Sequence, residues 1–269
     1  MARLEVLGHH TIYRNPRPNL ASEYVAFPSI QALADDTLLC MCRHGSARES
    51  DDGEVVIHRS RDRGETWDRA GQLPEPEEAG EGVRLPGGFG IAPDGEVVAC
   101  VRYPSGKGDG QLMARSRDGG DTWSPLQPVD SRPFERMGPG GNLATLSDGS
   151  MIAAGEWGED RRGDLLPDWA AAVTRSRDGG RSWEPWRRIQ GPGKGGLYFF
   201  DLRLAGLPGD RLLAAYWTHD LKRDVGVNVH TSRSEDGGQT WSEPADAGFW
   251  GQVTDVLGLE SGRVIAVTN

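Results

Sequence analysis
Apolar positions along this chain fall into short runs, each closed by a turn-forming cluster, and the runs come in pairs. Ile30–Leu33 is followed by Leu38–Cys42, Gly88–Ala92 by Val97–Val101, Asn142–Leu146 by Met151–Ala154, and Leu202–Leu207 by Leu212–Tyr216. Between the members sit Asp35-Asp36, Asp94-Gly95, Asp148-Gly149 and Pro208-Gly209-Asp210. No stretch keeps a helical period, so each pair predicts two antiparallel strands joined by a tight turn. A third run, such as Glu54–His58 or Ala170–Thr174, then leads into a motif that occurs four times. Its copies are Ser60-Arg61-Asp62-Arg63-Gly64-Glu65-Thr66-Trp67, Ser116-Arg117-Asp118-Gly119-Gly120-Asp121-Thr122-Trp123, Ser176-Arg177-Asp178-Gly179-Gly180-Arg181-Ser182-Trp183 and Ser234-Glu235-Asp236-Gly237-Gly238-Gln239-Thr240-Trp241. A further short run follows each copy, so the motif reads as the turn of a second hairpin. The Asp carboxylate can cap turn amides, the Gly can take positive φ, and the Trp can cover the hairpin. Asp62, Asp118, Asp178 and Asp236 are therefore predicted to be structural.

The intervals from Asp62 to Asp118 to Asp178 to Asp236 are 56, 60 and 58 residues, which marks one supersecondary unit repeated in series. Four strands per unit predict an all-β fold, a β-propeller of four-stranded antiparallel blades. The blades are expected at about 24–72, 83–130, 138–190 and 197–247, within a single domain spanning 1–269. A fifth begins at Val253–Leu259, turns at Ser261-Gly262 and reaches Arg263–Val267. About four and a half blades predict an open arc. A closed five-bladed ring would require an N-terminal strand, from Leu4–Leu7 or Thr11–Arg14, to complete the last blade.

The motif S-x-D-x-G-x-T-W, repeated at this interval behind a strand, resembles the Asp-box or bacterial neuraminidase repeat. From Tyr24 to its end the chain resembles the sialidase superfamily of six-bladed propellers. That resemblance implies a glycoside hydrolase domain acting on glycan termini, with sialic acid or another acidic sugar as substrate; the alternative is a non-catalytic Asp-box propeller that binds glycan or protein. It also implies three arginines on the substrate carboxylate, an acid/base Asp, and a Tyr nucleophile assisted by a Glu. Ala26-Phe27-Pro28 stands where the family has R-I-P, so the first arginine is replaced by Ala26. Arg43 matches the second arginine and reads either as a carboxylate fork or as a rim ion pair. Asp51 or Asp52 matches the acid/base, against a solvated turn. Asp201 matches the assisting carboxylate, against a strand cap or a partner for Arg203. No residue matches the nucleophile or the third arginine, which come from late blades, so hydrolysis of a sialoside by residues 1–269 alone is not expected.

With the strands of a blade lettered A to D from the axis outwards, strand parity puts the A–B turns and the Asp-boxes on one face and the long loops on the other. Those loops are Arg43–Gly53, Arg102–Gly110, Glu156–Asp168 and Thr218–Asp224, and a site is expected among them. Trp157, Trp217 and Trp250 fall on this face and suit stacking on sugars, against packing between blades. Arg102, with Arg84 and Arg136, is a candidate for the missing arginine, and Glu156, Glu159, His219 and Asp220 share the rim. Thirty basic against forty acidic residues give a net charge of −10, which argues against a nucleic-acid or anionic-membrane surface. A glycan or small carbohydrate is the expected ligand, and nothing in the composition selects an oligomeric state. Met1–His10 lacks an apolar signal core and no run reaches membrane-spanning length, which reads as cytoplasmic with secretion left open. Cys40, Cys42 and Cys100 are expected as buried thiols. Six scattered histidines and no C-x-x-C or H-E-x-x-H predict no metal site and no cofactor.

Overall fold
A computed structural model describes residues 5–6, 8–18, 23–48, 50–74, 84–103, 110–159, 165–193 and 196–269. The first blade consists of β1 (Tyr24–Ala32), β2 (Leu38–Gly45), β3 (Glu54–Ser60) and β4 (Asp68–Gln72). The second has β5 (Leu85–Ile91), β6 (Val97–Tyr103), β7 (Gly110–Ser116) and β8 (Gln127–Pro128). In the third, an inner strand in two pieces, β9 (Gly138–Pro139) and β10 (Ala144–Thr145), precedes β11 (Met151–Glu159), β12 (Leu165–Ser176) and β13 (Arg187–Gln190). The fourth holds β14 (Leu197–Leu207), β15 (Arg211–Asp220), β16 (Val225–Ser234) and β17 (Ala245–Trp250). Two strands, β18 (Val253–Gly258) and β19 (Val264–Thr268), pair as a separate sheet. Among the described residues all pairings are antiparallel and join sequence neighbours, except that β9, the first piece of the split inner strand, pairs with β11; this is the meander of a propeller blade. Thr11–Arg14 adds no strand to β18 and β19, and Leu4 and Leu7 lie outside the described residues.

Each second strand is buried on both faces, which is why it reads as an unbroken apolar run instead of an alternation. In β6, Val97, Ala99 and Val101 pack on Leu39, Met41, Val55 and Ile57 of blade 1, while Val98 and Cys100 pack on Met151 and Ala153 of blade 3. In β15, Leu212, Ala214 and Tyr216 face Ile152, Trp169 and Ala171 of blade 3, and Leu213 and Ala215 face Val253 and Val256. The three cysteines are buried and free. An apolar groove of about 460 Å³ remains on blade 4 beside β18 and β19.

The four Asp-boxes share one geometry. The Asp236 carboxylate accepts the Thr240 amide at 2.9 Å and its hydroxyl at 2.5 Å, and the Ser234 hydroxyl donates to it at 2.8 Å. That serine oxygen in turn accepts the Gly238 amide at 2.7 Å. The turns are joined from blade to blade by the arginine three residues before each Asp. Arg59 donates to the Gly119 carbonyl, Arg115 to that of Gly179, and Arg175 to that of Gly237. In the first turn Arg63 adopts φ 61° where the other copies have glycine.

These bonds hold the turn carboxylates ionised. The Thr66 hydroxyl and amide bring Asp62 down to about 2, and those of Thr240 bring Asp236 down to about 2. For Asp178 burial pushes upward, and the Ser182 hydroxyl and amide outweigh it, leaving about 2. Thr122 likewise holds Asp118 below the ordinary range. Because the folded carboxylates bind fewer protons than the unfolded ones, their contribution is fully present above the ordinary pKa of 3.8 and is lost as pH falls toward 2. Urea melts across this window should show falling stability, with a shallower fall in Asp236→Asn; an unchanged slope in the variant would contradict the assignment. Ser116 is almost fully buried, and its hydroxyl links Asp118 and Gly120. Ser116→Ala should lower unfolding free energy by about 1–3 kcal/mol, because it leaves a buried amide without an acceptor.

Candidate functional site
The innermost strands do not run straight. β1 is bulged between Ala26 and Ser29, β5 between Pro86 and Gly88, β14 between Phe200 and Arg203, and β18 between Val253 and Asp255. A bulge bends the strand and re-aims its side chains. Two of these bulges carry side chains at positive φ, Phe27 at 55° and Asp201 at 50°, a conformation that costs such residues about 1–2 kcal/mol each. In blade 3 the inner strand opens between β9 and β10. There Asn142 accepts the Ser29 hydroxyl of blade 1 at 2.7 Å and the Phe89 amide of blade 2 at 2.8 Å.

The bulge at Asp201 brings three sheets together. Its amide donates to Glu156 Oε2 of β11 at 2.9 Å, and its Oδ2 accepts Gln252 Nε2, just ahead of β18, at 2.5 Å. Next to it Arg203 Nε donates to the Thr254 carbonyl at 2.9 Å. An aromatic row crosses the same end of blade 4. Tyr198 and Phe200 on β14 lie 6.0 Å apart, Phe200 is 5.7 Å from Trp217 on β15, and Trp217 is 6.0 Å from His219. Trp169 of blade 3 backs Tyr198 and Phe200, at 5.9 and 5.6 Å. At the outer end, the indole nitrogens of Trp217 and Trp250 both flank Gly226, and Trp250 is 66% exposed. Carboxylates and a carboxamide beside aromatic faces can bind sugar hydroxyls and stack the apolar face of the ring.

The other sequence candidates are placed differently. Arg43 is completely buried, and its guanidinium donates to the Ala47 carbonyl at 2.6 Å, to the Ser50 carbonyl, and to the Ser50 hydroxyl at 3.1 Å. It is wrapped by its own loop: a Cβ at Gly53 would stand 2.1 Å from Nη2 and one at Gly45 2.7 Å from Nη1. Its fork is therefore turned into the protein, a correction to the reading that directs it at a ligand. Asp52 is exposed and accepts the Ser46 amide and hydroxyl, each at 3.1 Å; the Ser50 hydroxyl first, and then these two bonds, hold its carboxyl below the usual range. A carboxylate stabilised as the anion is a poor proton donor. Asp51 is exposed and its carbonyl accepts Arg84 at 3.0 Å. Arg102 stands near the end of β6 opposite Leu85 and Gln111. Trp157 is 6% exposed and belongs to the core between blades 2 and 3, with the Arg136 guanidinium 5.4 Å from its ring centre, so packing describes it better than a sugar platform. Parts of the loops Arg102–Gly110 and Glu156–Asp168 lie outside the described residues, as does the Glu159 side chain. His219 Nε2 lies 3.1 Å from Asp224, and Asp220 caps the turn amides of Lys222 and Arg223.

Two groupings were not expected from the sequence. One is the contact of Glu156 and Gln252 with Asp201, which joins residues 45 and 51 positions away and depends on blade packing. The other lies beside the expectation of no metal site: Cys42, His44 and His58 converge, all buried. Cys42-Arg43-His44 on one strand, with His58 on the next, was the legible part of that signal, since residues two apart share a face. Among the described residues, no helix is long and apolar enough to cross a membrane.

A protein-family profile described as the BNR repeat-like domain matches residues 36–269. A search of curated protein sequences finds no match. Among solved structures, a protein of unknown function from Dyadobacter fermentans aligns with TM-score 0.76 and 19% identity, over 96% of this chain and 77% of that one. An alpha-L-arabinanase from Penicillium chrysogenum, complexed with arabinobiose, aligns with TM-score 0.68 and 14% identity, over 91% of this chain and 75% of that one. A sialidase from Streptococcus pneumoniae gives 0.67 and 12%, over 92% of this chain and 56% of that one. At these identities the likeness is one of fold.

Arg43→Lys provides a test of the buried geometry. A single ammonium cannot span the Ala47 and Ser50 acceptors as the fork does, so unfolding free energy should fall by about 1–3 kcal/mol. An unchanged melting temperature with weakened sugar binding would instead restore Arg43 as a ligand contact.

Proposed function
The chain belongs to the BNR repeat-like domain family, and from that premise we propose that it is a glycan-acting propeller domain of the glycoside hydrolase type. The terminal sugar is taken at the junction of blade 4 with blade 3 and the β18–β19 pair. The observation that carries this reading is the aromatic row of Phe200, Trp217 and Trp250 running up to the Glu156–Asp201–Gln252 cluster. Stacking selects a ring with an apolar face, and the acceptors fix its hydroxyls. Glu156 and Asp201 form the carboxylate pair that a glycosidase needs, one to protonate the leaving oxygen and one to assist attack at the anomeric carbon.

A neutral sugar fits this site better than sialic acid. Of the arginines that the sialidase resemblance implies, the first is replaced by Ala26 and the second, Arg43, is enclosed by its own loop. A carboxylated sugar would lose the bidentate pairing that makes its recognition strong. The arabinobiose in the Penicillium arabinanase provides a neutral probe of suitable chemistry. The second reading, a non-catalytic glycan binder on the same face, is favoured by one observation: Asp52, at the implied acid/base position, is engaged as an anion by Ser46.

Calorimetry with arabino-oligosaccharides and with sialyllactose, together with a reducing-sugar assay, separates the readings. Neutral oligosaccharide should bind in preference to sialyllactose, and Trp217→Ala should weaken it roughly tenfold, the equivalent of about 1.4 kcal/mol. Sugar release that disappears in Glu156→Gln while binding persists supports the hydrolase; binding without release supports the second reading. Binding unaffected by Trp217→Ala, or a preference for sialyllactose, would remove the proposed site.

A further inference from the structure
We propose that blade 1 carries a metal site, formed by Cys42 Sγ, His44 Nε2 and His58 Nε2, that takes one zinc-class divalent ion. It is separate from the sugar site on blade 4 and independent of that reading. Cys42 and His44 project from one face of β2, and His58 projects from the same side of β3, where it stands opposite Cys40. One donor atom from each residue lies within 4.8 Å of those of the other two, and the side chains are 1%, 8% and 2% exposed. One thiolate with two imidazoles is a donor set that suits zinc, and both donor types are borderline to soft.

The separation of the imidazole nitrogens fits an ion. His44 Nε2 and His58 Nε2 are 3.1 Å apart. Two Zn–N bonds of about 2.0–2.1 Å subtend that separation at roughly 100°, close to tetrahedral. The ring centres are 5.2 Å apart with 26° between the planes, so the rings meet end to end, and each need only swing about its Cβ–Cγ bond to direct its lone pair at a shared centre. On binding, the ion replaces the Cys42 thiol proton, which leaves to solvent, and the neutral imidazoles lose none. Three protein ligands leave one coordination position.

Outer contacts are arranged as at a metal-bound histidine. His44 Nδ1, the nitrogen turned away from the cluster, lies 3.8 Å from Glu23 Oε1, and the Tyr13 hydroxyl donates to Glu23 Oε2 at 2.6 Å. At 3.8 Å the carboxylate stands beyond hydrogen-bond distance; brought into that range, it would orient the ring and raise ligand basicity. The Tyr13 ring covers the pair, 4.5 Å from the His44 ring and 5.7 Å from that of His58. A hydrogen bond between the two imidazoles is the competing account of the same contact. It uses one proton and gives the nearby thiol no part.

The test uses the full chain, reduced and stripped with chelator, titrated with Co2+ alone and then with Zn2+. One equivalent of cobalt should give intense visible bands of a tetrahedral site and a near-ultraviolet thiolate-to-cobalt band, both erased by zinc. Cys42→Ser should abolish the thiolate band while Cys40→Ser retains it, and His58→Gln should weaken binding by at least about tenfold. Absence of the bands in the unmutated chain under saturating cobalt overturns the proposal, whatever the variants do. A thiolate band that survives Cys42→Ser overturns it as well.

Discussion
From each of blades 1 to 3 a guanidinium reaches across to the glycine carbonyl of the next blade's Asp-box, and the order of the blades rests on that contact. Arg59, Arg115 and Arg175 occupy the same place in their repeats and find Gly119, Gly179 and Gly237. The Asp-box fixes the carbonyl by capping its own turn, so a stiff acceptor stands at the same position in every blade. A charge-assisted bond to such an acceptor contributes direction as well as energy. The apolar faces between blades, Val98 on Met151 or Ala214 on Ile152, pack in the register that these contacts set. Arg233, the fourth of the series, lines the apolar groove on blade 4.

Fixing one face leaves the other to the longer loops. The inner strands begin on the loop-bearing side and are bulged, and the bulge at Asp201 places its amide on Glu156 and its carboxylate on Gln252. Positive φ at Asp201 and Phe27 is tolerated because the sheets on either side determine the backbone there. The aromatic row on blade 4 has a similar origin. Tyr198 and Phe200, two apart, share one side of β14, and pairing with His219 and Trp217 extends that side onto β15.

The blades were legible because their signals are local. A turn motif, a strand pair and a repeat interval all lie within about sixty residues and agree with one another. Strand parity, read from sequence, places the longer loops together with Trp217, Trp250 and Asp201 on the face away from the Asp-boxes. What was not legible depends on contacts between repeats or on how a loop closes. Arg43 occupies an implied arginine position, yet Gly45 and Gly53 let its loop fold over the guanidinium, which no spacing rule reports. Trp157 was placed at the right strand end but turns into the core, because a strand end exposes only one of its two faces. Glu156 was recognised as a rim residue, but its bond to Asp201 spans two blades. Cys42, His44 and His58 appeared scattered until the β2–β3 register brought them to one side.

On the proposed function, the bulge at Asp201 and the aromatic row make one sugar site. A crystal of the chain soaked with arabinobiose tests it most directly. A sugar ring should be seated against Phe200 and Trp217, with its hydroxyls on the side chains of Glu156, Asp201 and Gln252. Sugar density at the Asp-box face, or in the groove lined by Leu213 and Val229, would contradict it.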